Sequence, residues 1–181
     1  FAYGEKENGA VFSHMAVMYA NALYKRGFSK EGYKALHALY AQAMNFEKSR
    51  IYPGIPEYFG EGGRGLYHYL TGAASWYMLT VITEMFGVKG YFGNLMLAPK
   101  LVPEQLDKAG KAKLTLFFAG KKLQITYQKK EPLKADYSKI SGIKLDGTVL
   151  PLSSEEKAEI DRSVIEELSD GEVHDISVTL E

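Results

Sequence analysis

Leu70-Thr71-Gly72-Ala73-Ala74 is the stretch best suited to hold an anion. A helix opening at Thr71 presents backbone N–H groups at Gly72 and Ala73 beside the Thr71 hydroxyl, and its dipole adds partial positive charge there. Gly72 has no Cβ and lets a ligand come close to the main chain. Taken alone, Thr-Gly at a helix start more often serves plain N-capping. His14 falls one turn inside an earlier helical stretch, among small and apolar neighbours. It reads either as a buried core histidine or as a second donor to the same anion and a proton carrier. Glu7, between Lys6 and Asn8-Gly9, is by default a solvated carboxylate.

Other motifs lead nowhere. Gly60-Glu61-Gly62-Gly63-Arg64-Gly65 satisfies G-x-G-x-x-G, but a dinucleotide loop follows a strand inside a βαβ unit, and here Pro53 and Pro56 precede it. His37, His68 and His174 lack metal-ligand spacing and cysteine is absent, so neither a metal nor a cofactor is expected. The first aspartate is Asp107, so an acid–base pair upstream of it must be built from glutamates, among which Glu7 and Glu57 lie in glycine-containing loops.

Several elements must position these groups. Ala10 to Arg26 has apolar residues at Val11, Met15, Met18 and Ala22 and again at Phe12, Tyr19 and Leu23, which predicts a helix buried on two faces. Gly27 ends it, and a second helix opens at Ser29 or Lys30 with one stripe, Tyr33, Leu36, Tyr40 and Ala43. Residues 49–65 carry too much Pro and Gly for a helix or central strand and read as a long functional loop. Leu66 to Phe86 predicts a third long helix closed by Gly87, and Tyr67, Tyr69 and Trp76 at helical spacing suit a core better than a sugar platform.

Near residue 90 the period changes from 3.6 to 2. Leu114, Leu116 and Phe118, then Leu123, Ile125 and Tyr127, alternate about an Ala119-Gly120 turn, and Asp146-Gly147 marks another turn. Ser153 and Glu156 form a capping-box pattern before Ile160, Val164 and Leu168, predicting a short helix over about 153–169. Ile176, Val178 and Leu180 predict a last strand.

Three motifs in order, Glu7-Asn8-Gly9-Ala10-Val11-Phe12-Ser13-His14-Met15, Tyr52-Pro53-Gly54-Ile55-Pro56-Glu57-Tyr58 and Leu70-Thr71-Gly72-Ala73-Ala74-Ser75-Trp76, resemble the C-terminal end of glycoside hydrolase family 94, formerly glycosyltransferase family 36. The likeness continues through Phe86-Gly87-Val88-Lys89-Gly90 and Leu97-Ala98-Pro99-Lys100-Leu101 and fades beyond about Gln128. These are inverting phosphorylases of β-glucosides such as cellobiose, cellodextrin and β-1,2-oligoglucan. The resemblance implies an α+β fold, with 1–90 the last helices of an (α/α)6 catalytic barrel and 91–181 a β-rich domain forming an antiparallel, jelly-roll-like β-sandwich. It implies phosphate binding by His14, Thr71 and Gly72, and contact of Glu7 with the acceptor sugar. It places the general acid on an aspartate upstream, so no catalytic residue is expected on this chain, which alone should be inactive. Expected partners are a β-linked gluco-oligosaccharide, inorganic phosphate as co-substrate and the remainder of the same enzyme, with room for a homodimer. A non-catalytic carbohydrate-binding or assembly module, and the phosphorylase-like domain of a cyclic β-1,2-glucan synthase, remain alternatives.

Composition narrows the field. The 181 residues are 46% hydrophobic and carry 22 basic against 22 acidic side chains, enough apolar matter for a packed core. Residues 91–152 hold 11 Lys against 5 acidic side chains and 153–181 hold 2 basic against 10 acidic. The basic stretch has no Arg for base-edge readout, so no nucleic-acid partner is expected. No run of 18 apolar residues occurs, so no membrane partner is expected, and the lack of Cys suits a cytoplasmic setting. The start at Phe1 without methionine suggests a fragment of something larger.

Overall fold

The computed structural model describes residues 1–51, 54–68, 72–129 and 139–181. The chain is α+β and divides into two compact units, Phe1–Val81 and Ile82–Glu181.

In the first unit a two-residue strand β1 (Val11–Phe12) runs directly into α1 (Ser13–Lys25). After Gly27, α2 (Ser29–Met44) turns back, followed by a single turn α3 (Phe46–Ser49). The supposed loop 49–65 is partly ordered as strand: β2 (Tyr58–Phe59) and β3 (Gly65–Leu66) join β1 in an antiparallel sheet of order β1-β2-β3. The glycine-rich stretch is the hairpin connection between β2 and β3, where Gly60 N–H bonds Arg64 O at 2.9 Å. α4 (Gly72–Thr80) follows.

Three expectations fail here. α1 buries Val17, Ala20, Asn21 and Tyr24, which belong to neither expected stripe, while Met15 of one stripe is 57% exposed and Tyr19 of the other 62%. α2 is buried along Gly32, Leu36, Leu39 and Ala43 rather than along Tyr33 and Tyr40, because the Tyr24 ring presses on the bare Cα of Gly32 and turns that edge inward. The third helix also does not open at Leu66. Gly65 and Leu66 pair with Phe59 and Tyr58, and Tyr67 takes a left-handed φ of 55°, which no continuing helix tolerates. Tyr67 is thus not on a helix, and Tyr69 lies outside the described residues.

In the second unit a widened turn, Val81–Met85, leads to the hairpin β4 (Val88–Tyr91) and β5 (Asn94–Leu97). Gly87, just before β4, is required twice over: its φ is 69°, and a Cβ there would fall 2.0 Å from the Ala98 carbonyl oxygen. β6 (Lys111–Phe118) and β7 (Lys121–Lys129) form the expected hairpin about Ala119-Gly120. β8 (Ile140–Leu145) and β9 (Thr148–Leu150) turn at Asp146-Gly147. The predicted helix over 153–169 is replaced by β10 (Ala158–Ile160) and a short α5 (Arg162–Glu166), capped by Asp161, whose Oδ1 accepts from Ser163 N–H at 2.9 Å. Ala158 and Ile160 both point inward against β5, so the two-residue period overrides the capping pattern, and the Ser153 and Ser154 hydroxyls instead bond the Lys157 carbonyl. β11 (Val173–Leu180) is the expected last strand.

The sheets are ordered β10-β5-β4 and β6-β7-β11-β8-β9. The second is not wholly antiparallel: β11 lies parallel to β7 over its whole length, from Val173 opposite Lys122 to Leu180 opposite Lys129. One apolar cluster gathers the inward side chains of both sheets, among them Leu95, Leu97, Ile125, Tyr127, Ile160, Ile176 and Val178, with Ile165 of α5. Tyr127 is wholly buried and donates to the Phe86 carbonyl at 2.6 Å; burial pushes its phenol well above the ordinary range.

Candidate functional site

The first unit brings His14 and Gly72 into contact. His14 is the second residue of α1 and Gly72 the first of α4, and the imidazole covers the Cα of Gly72 so closely that a Cβ there would lie 2.6 Å from Cε1 and 2.7 Å from Nδ1. Gly72 is therefore a glycine that admits the histidine ring; the space over its Cα is not left for a ligand, contrary to the expectation from sequence. Trp76, one turn on in α4, flanks the same ring at 5.8 Å between centroids.

Two features hold this junction. Buried Asn21 donates through Nδ2 to Thr80 Oγ1 at 3.1 Å. The His14–Gly72 and Asn21–Thr80 contacts are separated by seven residues along α1 and eight along α4, roughly 10–12 Å at helical rise. The two helices are therefore parallel neighbours whose N-termini open side by side. The main chain of Glu57 sets the level of both openings: its carbonyl accepts from Ser13 N–H at 2.8 Å, and its N–H donates to the Tyr67 carbonyl at 2.9 Å.

At this end two buried polar atoms, Ser13 Oγ and His14 Nε2, have no hydrogen-bond partner among the described residues. Leaving such an atom unpaired costs about 1–3 kcal/mol, so the pair marks a place where a polar ligand is welcome. Ser13 escaped sequence reading, although Ser-His at a helix start was the signal. Thr71 lies outside the described residues.

Glu7 is exposed on a tight turn closed by the Glu5–Asn8 bridge. It makes no hydrogen bond or ion pair among the described residues, and the contacts that join His14, Gly72 and Trp76 do not include it. Its neighbour Lys6 is the better anchored group. Lys6 has a left-handed φ of 45°, pairs with Glu57 at 3.4 Å and lies 4.2 Å from the centre of the Tyr67 ring. Burial, followed by the charges of Glu5, the Tyr67 phenol and Glu57, pushes the Tyr58 phenol up, with Lys6 partly offsetting them. Glu84 is the buried carboxylate, only 3% exposed, but Lys89 at 2.8 Å and Lys100 at 3.5 Å hold it as a structural ion pair.

Among the described residues no group of three or more His, Asp or Glu is placed to hold a metal ion, and no helix is long and apolar enough to cross a membrane. Compared with known proteins, the chain matches no family model and no curated protein.

Proposed function

We propose that this chain is the C-terminal part of an inverting phosphorylase that cleaves β-glucosidic bonds of gluco-oligosaccharides with inorganic phosphate. The observation that carries the reading is the pair of buried, unpartnered atoms Ser13 Oγ and His14 Nε2 at the point where two parallel helices begin. Two adjacent N-termini favour negative charge, and a hydroxyl and an imidazole nitrogen suit phosphate oxygens. Phosphate is already an anionic nucleophile, so the carboxylate that activates water in an inverting hydrolase is replaced by an anion site. A phosphate oxygen attacks the anomeric carbon from the face opposite the leaving oxygen. That bond breaks, an acid supplied from outside this chain protonates the released acceptor, and α-glucose 1-phosphate forms.

His14, Ser13 and the main-chain N–H of Gly72, with Thr71 by resemblance, hold the phosphate, and Glu7 meets the acceptor sugar. The finer fold belongs to the same proposal. Parallel α1 and α4, with the intervening α2 packed back on α1, repeat the alternation of an (α/α)6 barrel, and the uncovered Met15 and Tyr19 face of α1 supplies a surface for further barrel helices. The two sheets sharing one apolar cluster are the β-sandwich of this reading. A cytoplasmic setting belongs to it as well.

A polypeptide joining this chain to the upstream barrel, incubated with β-linked glucose disaccharides and phosphate, should release α-glucose 1-phosphate from one of them. Absence of product with every linkage refutes the proposal. A second reading, a non-catalytic carbohydrate-binding module, draws on the exposed rings of Tyr3 and Tyr67, the latter beside Lys6 and its partner Glu57. Sugar binding that is indifferent to phosphate would favour it.

A further inference from the structure

The C-terminal unit carries a titratable cluster of its own. His174 on β11 is 5% exposed, with Nδ1 2.7 Å from Asp146 Oδ2 and Nε2 3.0 Å from the Ser169 carbonyl oxygen. Asp146 belongs to the β8–β9 turn, where its other oxygen accepts from Asp175 N–H at 2.8 Å. Ser169 follows α5, and its hydroxyl, 3.5 Å from Nε2, is bonded to Glu172 Oε2 at 2.8 Å. An Asp-His-Ser set of this kind is not a nucleophile relay. A base would use Nε2 to accept from the hydroxyl, whereas here Nε2 faces a carbonyl that only accepts. A neutral imidazole has one N–H; this ring faces two acceptors, and only the imidazolium satisfies both.

We propose that protonated His174 is a pH-responsive clasp that ties the Ser169–Glu172 segment to the β8–β9 turn, and that loss of its proton releases this segment. The charged groups around the ring are Asp146 from the turn, Glu172 and Asp170 from the segment, and Lys121 at the start of β7, which bonds Asp170 at 2.6 Å and the Leu168 carbonyl at 2.5 Å. β7 also places Leu123 directly beside His174. The neutral ring keeps its N–H toward the Asp146 carboxylate and turns a bare nitrogen toward the Ser169 carbonyl, so the segment side gives way. That segment forms one wall of a cavity of about 140 Å³ lined by Phe117, Lys121, Lys122, Ser169 and Glu172, and its release opens the cavity.

The pH window follows from the pairing. The Ser169 carbonyl and then the Asp146 carboxylate raise His174 above the ordinary imidazole value of 6.5, so the clasp is complete below that value and is lost as pH rises through the higher folded one. Partial burial works against the Asp146 carboxylate, but hydrogen bonds from His174 and the Asp175 N–H hold it below its ordinary 3.8, so the acid limit lies under that.

The test is an NMR titration of the full chain that follows the His174 ring nitrogens together with amide-exchange protection factors. Both ring nitrogens should be protonated at about pH 6, and protection of 169–172 should fall about tenfold across the imidazole titration while β4 and β5 stay unchanged. Asp146→Asn should move that fall to lower pH. A singly protonated ring at about pH 6, protection indifferent to the titration, or an unchanged midpoint in Asp146→Asn overturns the proposal, and the wild-type titration decides alone if that variant does not fold.

Discussion

Gly72→Ala places a methyl group where the His14 imidazole already lies. The added carbon would sit 2.6 Å from Cε1, 2.7 Å from Nδ1 and 3.1 Å from Nε2, whereas carbon atoms rest at about 3.5–4.0 Å, so the ring must retreat by about 1 Å. Overfilling of this kind costs about 1–3 kcal/mol, against up to about 1 kcal/mol gained from the better helix propensity of Ala. A net loss of about 1 kcal/mol is expected in wild-type background. In His14→Ala background the obstruction is gone, only the propensity gain remains, and Gly72→Ala should be neutral or stabilising. Urea unfolding of the four proteins of this cycle measures the coupling, expected at about 1 kcal/mol or more. Additive effects within about 0.5 kcal/mol would show that ring and glycine do not touch, and the geometry of the site would fall with that result.

The Asn21–Thr80 bond carries the alignment of α1 with α4. Asn21→Ala leaves Thr80 Oγ1 buried without its donor and should cost about 1–3 kcal/mol in urea unfolding, whereas Asn21→Leu with Thr80→Val, which removes both polar groups, should cost less than either alone. Tyr77 donates to the Leu36 carbonyl at 3.4 Å, and burial, then Tyr40 and Tyr33, push its phenol up to about 12. The unfolded phenol ionises near 10, so this group's contribution is intact below pH 10 and is lost as pH rises toward 12. Tyr77→Phe should flatten the fall of stability over that range, as read by denaturant midpoints at successive pH values.

Legibility in the sequence followed how local the deciding interaction was. The hairpin about Ala119-Gly120, the turn at Asp146-Gly147 and the strand through Ile176, Val178 and Leu180 each rest on a turn signal or a clear two-residue period, and each forms as read, while α2 opens at Ser29 after the Gly27 stop. Leu66 and Tyr67 are kept out of the helix by pairing of Leu66 with Tyr58, eight residues away, and by the left-handed φ of Tyr67, which an apolar run cannot announce. Ala158–Ile160 is strand because β5 offers it an edge, although Ser153 and Glu156 carry a helix-start pattern. At the candidate site the types His14 and Gly72 were legible, but their mutual contact was not, since it depends on two helices aligned by Asn21, Thr80 and the main chain of Glu57. The sequence suggested that the missing Cβ serves a ligand; in the structure it serves an imidazole. Ser13 was not singled out because a helix read from Ala10 puts it in the interior, whereas α1 opens at Ser13 and its hydroxyl is buried without a partner among the described residues.

Under the proposed function, the paired openings of α1 and α4 bind inorganic phosphate. Amide resonances of Ser13, His14 and Gly72 followed by NMR as phosphate is added, with chloride at matched ionic strength as control, test it most directly. Saturable shifts are expected at these three positions with phosphate alone, weakened about tenfold by His14→Ala, in line with loss of one hydrogen bond to a charged group. Shifts that are absent, that chloride reproduces, or that His14→Ala leaves unchanged would contradict it.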